Sequence, residues 1–383
     1  MTGRLMAVIS VLAVTGLSAL SLGGPVFYFV SWALVLMILY AMVSLLAARF
    51  SLTFSQHLES DRLERGDTGK LHVMAQLKSP LPIGPLRLPL RLPEGQTDAL
   101  MEARFMRESA AAFTLRFPHV GQWPVGAGRV ILQDFFGLIR MRIKLKTPLP
   151  EVLVLPRAFE VLPLDFAKLD DGRALPGRSG EDITSPEDTR AYRLGDPFKR
   201  IHWKLSIRSR ELVVRRFEIP EPPDTLILLD CTAPLGGEEK PDGKARLIDT
   251  LAETALSVAA MQMSDGQPVR LPLYGQRQSE FHADRQGALT LLKEELAYQT
   301  FDGGVAFDRV LGLELRRMRR TGATIVITTR LDAAVAEGVK NIRASGPNVR
   351  FYLITFTMNA PEYSPYIALL QQNFVEVCYV TPA

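Results

Sequence analysis

The sequence predicts a multidomain α+β chain: an N-terminal two-helix transmembrane hairpin, an antiparallel β-sandwich, then a doubly wound α/β domain. Three observations carry that expectation. Two uncharged, mostly apolar runs, Leu5 to Leu22 and Val26 to Ala48, are separated only by Gly23-Gly24-Pro25. Between 50 and 156, short alternating runs are split by Pro and Gly. From Asp224 onward, continuous apolar runs alternate with segments of helical spacing. The expected domains are therefore 1–49 (spans 5–22 and 26–48), 50–156, a linker over 157–223, and 224–383.

At 1.5 Å per residue, either N-terminal run reaches across a hydrocarbon core of roughly 30 Å. Gly-Gly-Pro breaks a helix and adds almost no length, so the two spans form a tight hairpin. The turn carries no charge, whereas Arg4 precedes the first span and Arg49, Arg62, Arg65 and Lys70 follow the second. The positive-inside rule then places the N-terminus and the soluble domains in the cytoplasm of a multi-pass inner-membrane protein. The rival reading, a cleaved signal peptide, finds small residues at Ser18-Ala19 and Gly23-Gly24 but no A-x-A site, and a full second span follows at once.

Cysteine and histidine argue against protein-only metal chemistry. Cys231 and Cys378 are the only cysteines, each in or beside an apolar run, where a free thiol acts as a small hydrophobe. His57, His72, His119, His202 and His282 are scattered and show no H-E-x-x-H spacing. No P-loop and no G-x-G-x-x-G after a strand is present, and no cofactor is expected.

The stretch from Phe50 to Pro156 sustains no helical period apart from a possible turn near Asp98 to Met106. Closely spaced strands with turn signals indicate a sandwich or barrel. Asp134-Phe135-Phe136-Gly137-Leu138 reads as a core strand with a turn, or alternatively as part of an interaction surface. In the last domain, strands are expected at Asp224–Asp230, Val269–Tyr274, Ala323–Thr328, Val349–Thr357 and Phe374–Val380. Helices are expected at Ala245–Met263, Gln286–Tyr298, Phe307–Arg319, Asp332–Ala344 and Tyr363–Gln372. Such alternation demands a doubly wound sheet. The charged stretch Leu313 to Arg320 reads as a solvated helix face.

Charge concentrates in Arg190 to Glu218. The segment holds nine Lys/Arg against three Asp/Glu, while the other 354 residues hold 36 against 38. Within it, Gly195-Asp196-Pro197 is turn chemistry. Ile201, Trp203 and Leu205 alternate with His202, Lys204 and Ser206, which predicts an extended segment with Trp203 buried on its apolar side. Leu212-Val213-Val214 is a second strand candidate. Two uses of the cluster stay open. Its arginines can fork onto an anionic partner. Alternatively, Arg190, Arg200, Arg208 and Arg215 brace the fold against Asp196, Glu211, Glu218, Glu181, Asp182, Glu187 and Asp188. Asp196, His202 and Ser206 can be written as a triad, but no G-x-S-x-G elbow supports a hydrolase. Lys199 to Arg216 holds one aromatic, Trp203, and the remainder of the chain is near neutral, which makes a poor nucleic-acid footprint, and anionic lipid is nearer at hand.

Arg190-x-Tyr192, Gly195-Asp196, Ile201-x-Trp203 and Ser206-Ile207-Arg208 resemble the signature of the bacterial family known as domain of unknown function 58, with Ile207 where Ala is usual. The Asp134–Leu138 element resembles a family motif in which Pro commonly stands at Phe135. The resemblance implies a von Willebrand factor type A-like α/β domain. It also implies partnership with a MoxR-type AAA+ ATPase, and proximity to transglutaminase-like membrane proteins. It further implies signature roles, structural or binding, for Arg190, Tyr192, Gly195, Asp196, Arg200, His202, Trp203, Lys204, Ser206, Arg208, Arg215 and Glu218. In type A domains a divalent ion sits at the end of the first strand on Asp-x-Ser-x-Ser. Here that element is Asp230-Cys231-Thr232-Ala233-Pro234, and Thr329-Arg330 stands where a carboxylate is expected. Asp230 and Thr232 are degenerate ligand candidates, and Thr300 to Gly304 could offer the middle loop. A cation beside Arg330 is disfavoured by Coulomb repulsion. The expected function is therefore a non-enzymatic membrane-anchored interaction protein. A metal-dependent adhesion-type domain is the alternative, and a hydrolase is a more distant one.

Overall fold

The computed structural model describes residues 3–79, 81–93, 95–101, 108–145, 147–161, 186–193, 198, 201–217, 224–237, 239, 242–283, 286–318, 321–358 and 360–382, without the side chains of 96, 108, 186–190, 209, 215–217 and 286. The chain groups into two units, Met1–Arg157 with Thr290–Gln299, and Ala158–Leu289 with Thr300–Ala383.

The first unit opens with α1 (Gly3–Leu22) and α2 (Pro25–Ser51). Pro25 occupies the first turn of α2, where its missing N–H costs nothing. Gly23 takes φ +67° in the turn between them. The helices lie side by side, and Ser31 donates to Thr15 Oγ1 at 3.1 Å. Both are long and apolar enough to cross a membrane. The last two turns of α2 do something else: Leu45 and Ala48 are buried in the core of the β-structure that follows.

That β-structure comprises β1 (Leu52–Leu58), β2 (Arg62–Glu64), β3 (Thr68–Leu77), β4 (Leu86–Leu92), β5 (Gly95–Met101), β6 (Glu108–Arg116), β7 (Gly121–Pro124), β8 (Gly126–Ala127), β9 (Arg129–Gln133), β10 (Arg140–Lys144) and β11 (Glu151–Leu155). They form sheets β1-β3-β6, β10-β9-β4-β5 with β8 on β4, and β2-β11-β7. In β3, Leu71, Val73, Ala75 and Leu77 are buried and the residues between them are not, the period of two that the alternating sequence anticipated. Leu86, Leu88 and Leu90 of β4 and Val130 and Leu132 of β9 join them in one core. Two expectations need correction. Asp98, placed in a possible helical turn, lies in β5 opposite Pro89, and 102–106 fall outside the described residues. The structure is not wholly antiparallel either. Leu153–Leu155 runs parallel to Arg62–Glu64, which is possible because most of the domain lies between them as a crossover.

The second unit contains β12 (Pro186–Ala191), α3 (Trp203–Ser209), β13 (Val213–Phe217), β14 (Asp224–Leu229), α4 (Gly243–Ser264), β15 (Val269–Tyr274) and β16 (Gln278–Ala283). After α5 (Leu289–Tyr298) it continues with α6 (Phe307–Arg317), β17 (Thr321–Thr328), α7 (Ala333–Ala344), β18 (Asn348–Ile354), α8 (Ser364–Gln372) and β19 (Glu376–Val380). Residues 290–299 of and beside α5 group with the first unit, where Arg62 pairs with Glu294 and Lys293 meets Glu64 at 2.5 Å.

One six-stranded sheet, β16-β15-β14-β17-β18-β19, forms the centre of the second unit. All neighbours are parallel except β15 and β16. The antiparallel β16 was absent from the sequence expectation because QSEFHA is polar and only one of its faces is covered. Leu226 to Leu229 are all buried, as a strand covered on both faces requires. Leu226, Leu228, Val326, Phe351 and Leu353 pack with α6, α7 and α8. The α4 helix meets β14, β15, β17 and β18.

The charged helix α6 is not simply a solvated face. Glu314 is 0% exposed. Arg270 Nη2 donates to it at 2.6 Å, Arg317 Nη1 at 2.8 Å, and Tyr274 Oη also donates to it. The two arginines meet again on Glu280. The Arg270 hydrogen bond outweighs burial and, with Arg317, holds the Glu280 carboxyl below its usual range. A helix period identifies which residues share a face, but it does not reveal that one strand, β15, will bring both arginine and tyrosine to that face.

Candidate functional site

Two places in the second unit collect the residues singled out by the sequence. The first is the carboxyl end of the sheet. β14 is flanked by β15 on one side and β17 on the other, so the direction of winding reverses between β14 and β17. In open α/β sheets, ligands bind in the crevice at such a reversal, outside the strand ends. Asp230 follows β14 there, and Thr328 ends β17.

Asp230 is buried and its oxygens are already used. Oδ1 accepts from Thr232 N at 3.0 Å and Thr232 Oγ1 at 2.6 Å. Oδ2 accepts from Thr328 Oγ1 at 2.7 Å and from Arg330 Nε at 2.9 Å. Arg330 Nη2 reaches on to the carbonyl of Ala233 at 2.7 Å. Thr329, at the position where a carboxylate was sought, accepts instead from Leu235 N at 3.1 Å. The loop 300–304 does arrive: Gly303 N donates to Cys231 O at 2.9 Å. Only glycine fits, because a Cβ at 303 would stand 2.8 Å from the carbonyls of both Cys231 and Tyr274. The Asp302 carboxylate faces elsewhere and accepts from Gln276 Nε2 at 2.7 Å.

These residues do not fit a divalent ion of the Mg²⁺ type. Mg²⁺ demands near-octahedral oxygen ligation. Here a guanidinium takes the carboxylate that would anchor the ion. Among the described residues, no three His, Cys, Asp or Glu side chains cluster as metal ligands. Cys231 offers no nucleophile, since burial pushes its thiol up to about 12.

The second place is the basic segment. β12 and β13 pair antiparallel, Ala191 opposite Val213 and Thr189 opposite Arg215, with Tyr192 N donating to Leu212 O at 2.8 Å. The expected extended run through Ile201, Trp203 and Leu205 is corrected. Ile201 bridges to Val214, and Trp203–Ser209 is a helix. Local capping decides this. His202 Nδ1 accepts from Leu205 N at 3.3 Å, and the buried Ser206 hydroxyl donates back to His202 O at 3.1 Å. Ser206 Oγ also accepts from Val213 N at 2.9 Å, tying helix to strand. A run of seven residues is too short for alternation to distinguish strand from helix.

The consequence is a second correction. Trp203, expected in the core, is 58% exposed, and Ile207, one turn on, is 79% exposed. Lys204 and Arg208 are exposed beside them on α3. Tyr192 stacks with the exposed Phe198, centroids 6.1 Å apart. His202 and Ser206 thus hold the start of α3 and tie it to β13. Gly195, Asp196, Arg200 and Glu218 lie outside the described residues, as do the side chains of Arg190 and Arg215, so most of the expected Arg–carboxylate bracing falls there too, while Arg208 and Glu211 are described and exposed. One pairing was missed: His57 and His72, called scattered, stack across β1 and β3 at 5.1 Å because the register sets them opposite.

Residues 188–349 match the family described as protein of unknown function DUF58. The chain carries a DUF58 domain. It begins in β12 and ends at the start of β18, so the DUF58 region takes in both the helix bearing Trp203 and the Asp230–Arg330 cluster. No curated protein matches the sequence. Among solved structures, Cwp6 from Clostridium difficile is similar at 8% identity and a TM-score of 0.19, over 85% of this chain and 45% of that one. This chain thus covers less than half the length of that protein, and so low a score supports no argument.

Proposed function

We propose that this DUF58 protein is a non-enzymatic, membrane-anchored docking protein whose partner surface is α3. The observation that carries the reading is the exposure of Trp203 and Ile207 on one face of a short helix with Lys204 and Arg208 alongside. Tryptophan and arginine dominate the binding energy of protein interfaces, and an exposed apolar pair rimmed by cations is the usual form of such a site. The partner proposed from the family resemblance is a MoxR-type AAA+ ATPase, with a transglutaminase-like membrane protein as a second candidate. The six-stranded sheet with its antiparallel third strand supports reading the second unit as von Willebrand factor type A-like, a fold used here for binding without an ion.

Trp203→Ala and Ile207→Ala are expected to leave the unfolding free energy of the detergent-solubilised protein within about 0.5 kcal/mol of wild type, as surface changes do. Both should lose an ATPase recovered with the wild type in pull-downs analysed by mass spectrometry. Arg208→Ala should weaken capture in a salt-sensitive way. A Trp203→Ala protein that folds and retains every partner would end the docking reading.

The N-in, C-in orientation is part of the same proposal. It rests on the uncharged Gly23-Gly24-Pro25 turn and on Arg4 and Arg49 at the opposite ends of the helices. A C-terminal alkaline phosphatase fusion should be inactive and a green fluorescent fusion bright. The reverse result would remove the cytosolic ATPase from consideration.

A further inference from the structure

The turn Asp134 to Leu138 in the first unit connects β9 to β10. Its backbone is held from within. Asp134 is buried and accepts from Phe136 N at 2.9 Å and from Ile139 N at 2.6 Å, while Gly137 N donates to Asp134 O at 3.0 Å. With the carboxylate turned inward, the two phenylalanines project outward. Phe135 is 62% exposed and Phe136 is 42% exposed, their rings edge to face at 5.5 Å.

The turn sits against the apolar helices. Leu138 packs with Leu5 of α1 and Ala41 of α2, with Val8, Met37 and Ile139 around them. Phe136 meets the Tyr40 ring at 6.0 Å. The Arg4 guanidinium lies over Gly137, so close that a Cβ there would stand 2.9 Å from Arg4 Nη1. Gly137 also has φ +72°. The phenylalanines are therefore level with the first charge of α1, where the apolar run begins.

Beyond the turn, the outer face of one sheet is basic. Arg140, Arg142 and Lys144 are exposed along β10. Arg129 stands opposite Lys144, and Arg87 lies beside Ile131, the partner of Arg142. Asp98 is the described carboxylate on that face.

We infer that the Phe135–Phe136 turn inserts into the bilayer at headgroup depth, and that Arg140 and Arg142 contact anionic phospholipid phosphates beside it. The inference rests on the reading of α1 and α2 as membrane-spanning. Aromatic rings at the membrane–water boundary, with guanidinium groups next to them, form the anchoring pattern of membrane proteins. Guanidinium forks match phosphate geometry, and rings in water would remain unsatisfied apolar surface. Tyr40 and Arg4 already mark that depth on the helices. The turn would thereby add a lipid contact beside the core contacts that Leu45 and Ala48 of α2 already make with the β-structure.

The test uses the full chain in vesicles of phosphatidylcholine, with and without phosphatidylglycerol. Two proteins lack Trp123 and Trp203 through Trp→Phe changes. One keeps Trp32. The other carries Trp32→Phe and Phe135→Trp. Trp32 fluorescence should be quenched by lipids brominated deep in the acyl chain. The Phe135→Trp indole should be quenched by a headgroup-level spin-labelled lipid, more strongly with phosphatidylglycerol, and be shielded from aqueous iodide. Arg140→Glu with Arg142→Glu should abolish the phosphatidylglycerol dependence, and its persistence would overturn the role given to those arginines. If Trp32 is quenched while the Phe135→Trp indole answers only to iodide, the turn stands in water and the inference fails with the spanning reading intact. Shielding from both quenchers would mean that protein covers the turn, which also overturns it. If neither indole responds to lipid, the spanning reading itself has failed and this inference goes with it.

Discussion

Glu314→Ala lowers the stability of the second unit by about 3–5 kcal/mol, the usual cost of removing one partner from a buried charge network. Glu314 is wholly buried on α6, and its removal leaves Arg270, itself only 14% exposed, with the half-exposed Glu280 as its remaining carboxylate. It also strands the Tyr274 hydroxyl that donates to it. Arg317 can relax toward water, since half of its side chain is already there, so it adds little. For a unit of this size each kcal/mol shifts the midpoint by about 2–4 °C, giving a fall of about 6–20 °C. Thermal unfolding of the full-length protein in detergent measures it. Glu314→Gln should fall between the two, because an amide keeps one acceptor for Arg270 but not the charge. A Glu314→Ala midpoint within a degree of wild type would show that the network adds no stability.

Arg330→Ala should cost a similar amount, about 3–5 kcal/mol, because it leaves the buried Asp230 carboxylate with hydroxyl and amide donors but no counter-charge. Arg330→Lys should restore only part of it. An ammonium can neutralise Asp230, but it cannot also reach the Ala233 carbonyl in the fixed geometry of a guanidinium fork. The same site makes a second measurement decisive. Since Arg330 occupies Asp230, millimolar Mg²⁺ should leave the wild-type midpoint unchanged, stabilisation by a ligand following RT ln(1 + [L]/Kd). A rise of several degrees that vanishes in Asp230→Ala would establish a working cation site and displace the ion-free reading.

Much of this architecture is legible in the sequence. The helical runs flanking Gly23-Gly24-Pro25, the alternation in β3 and the continuous apolar β14 carry periodicities long enough to identify each element locally. The motif around Tyr192, Trp203 and Ser206 gave a resemblance to DUF58, and the match over 188–349 agrees. What failed was short or long-range. Trp203 went to solvent because His202 and Ser206 cap a helix within seven residues, a span over which strand and helix periods are not separable.

The sequence by itself thus determined which segments are helix or strand wherever a hydrophobic period persists for several turns or pairs, because that signal is local and summed over many residues. Tertiary structure alone decided what meets across the fold: Arg330 on Asp230 a hundred residues away, Arg270 and Tyr274 on Glu314, His57 against His72, and Phe136 against Tyr40. Those contacts depend on strand order, register and the close approach of backbones, and no pattern within one segment encodes the neighbour that closure of the core will bring beside it.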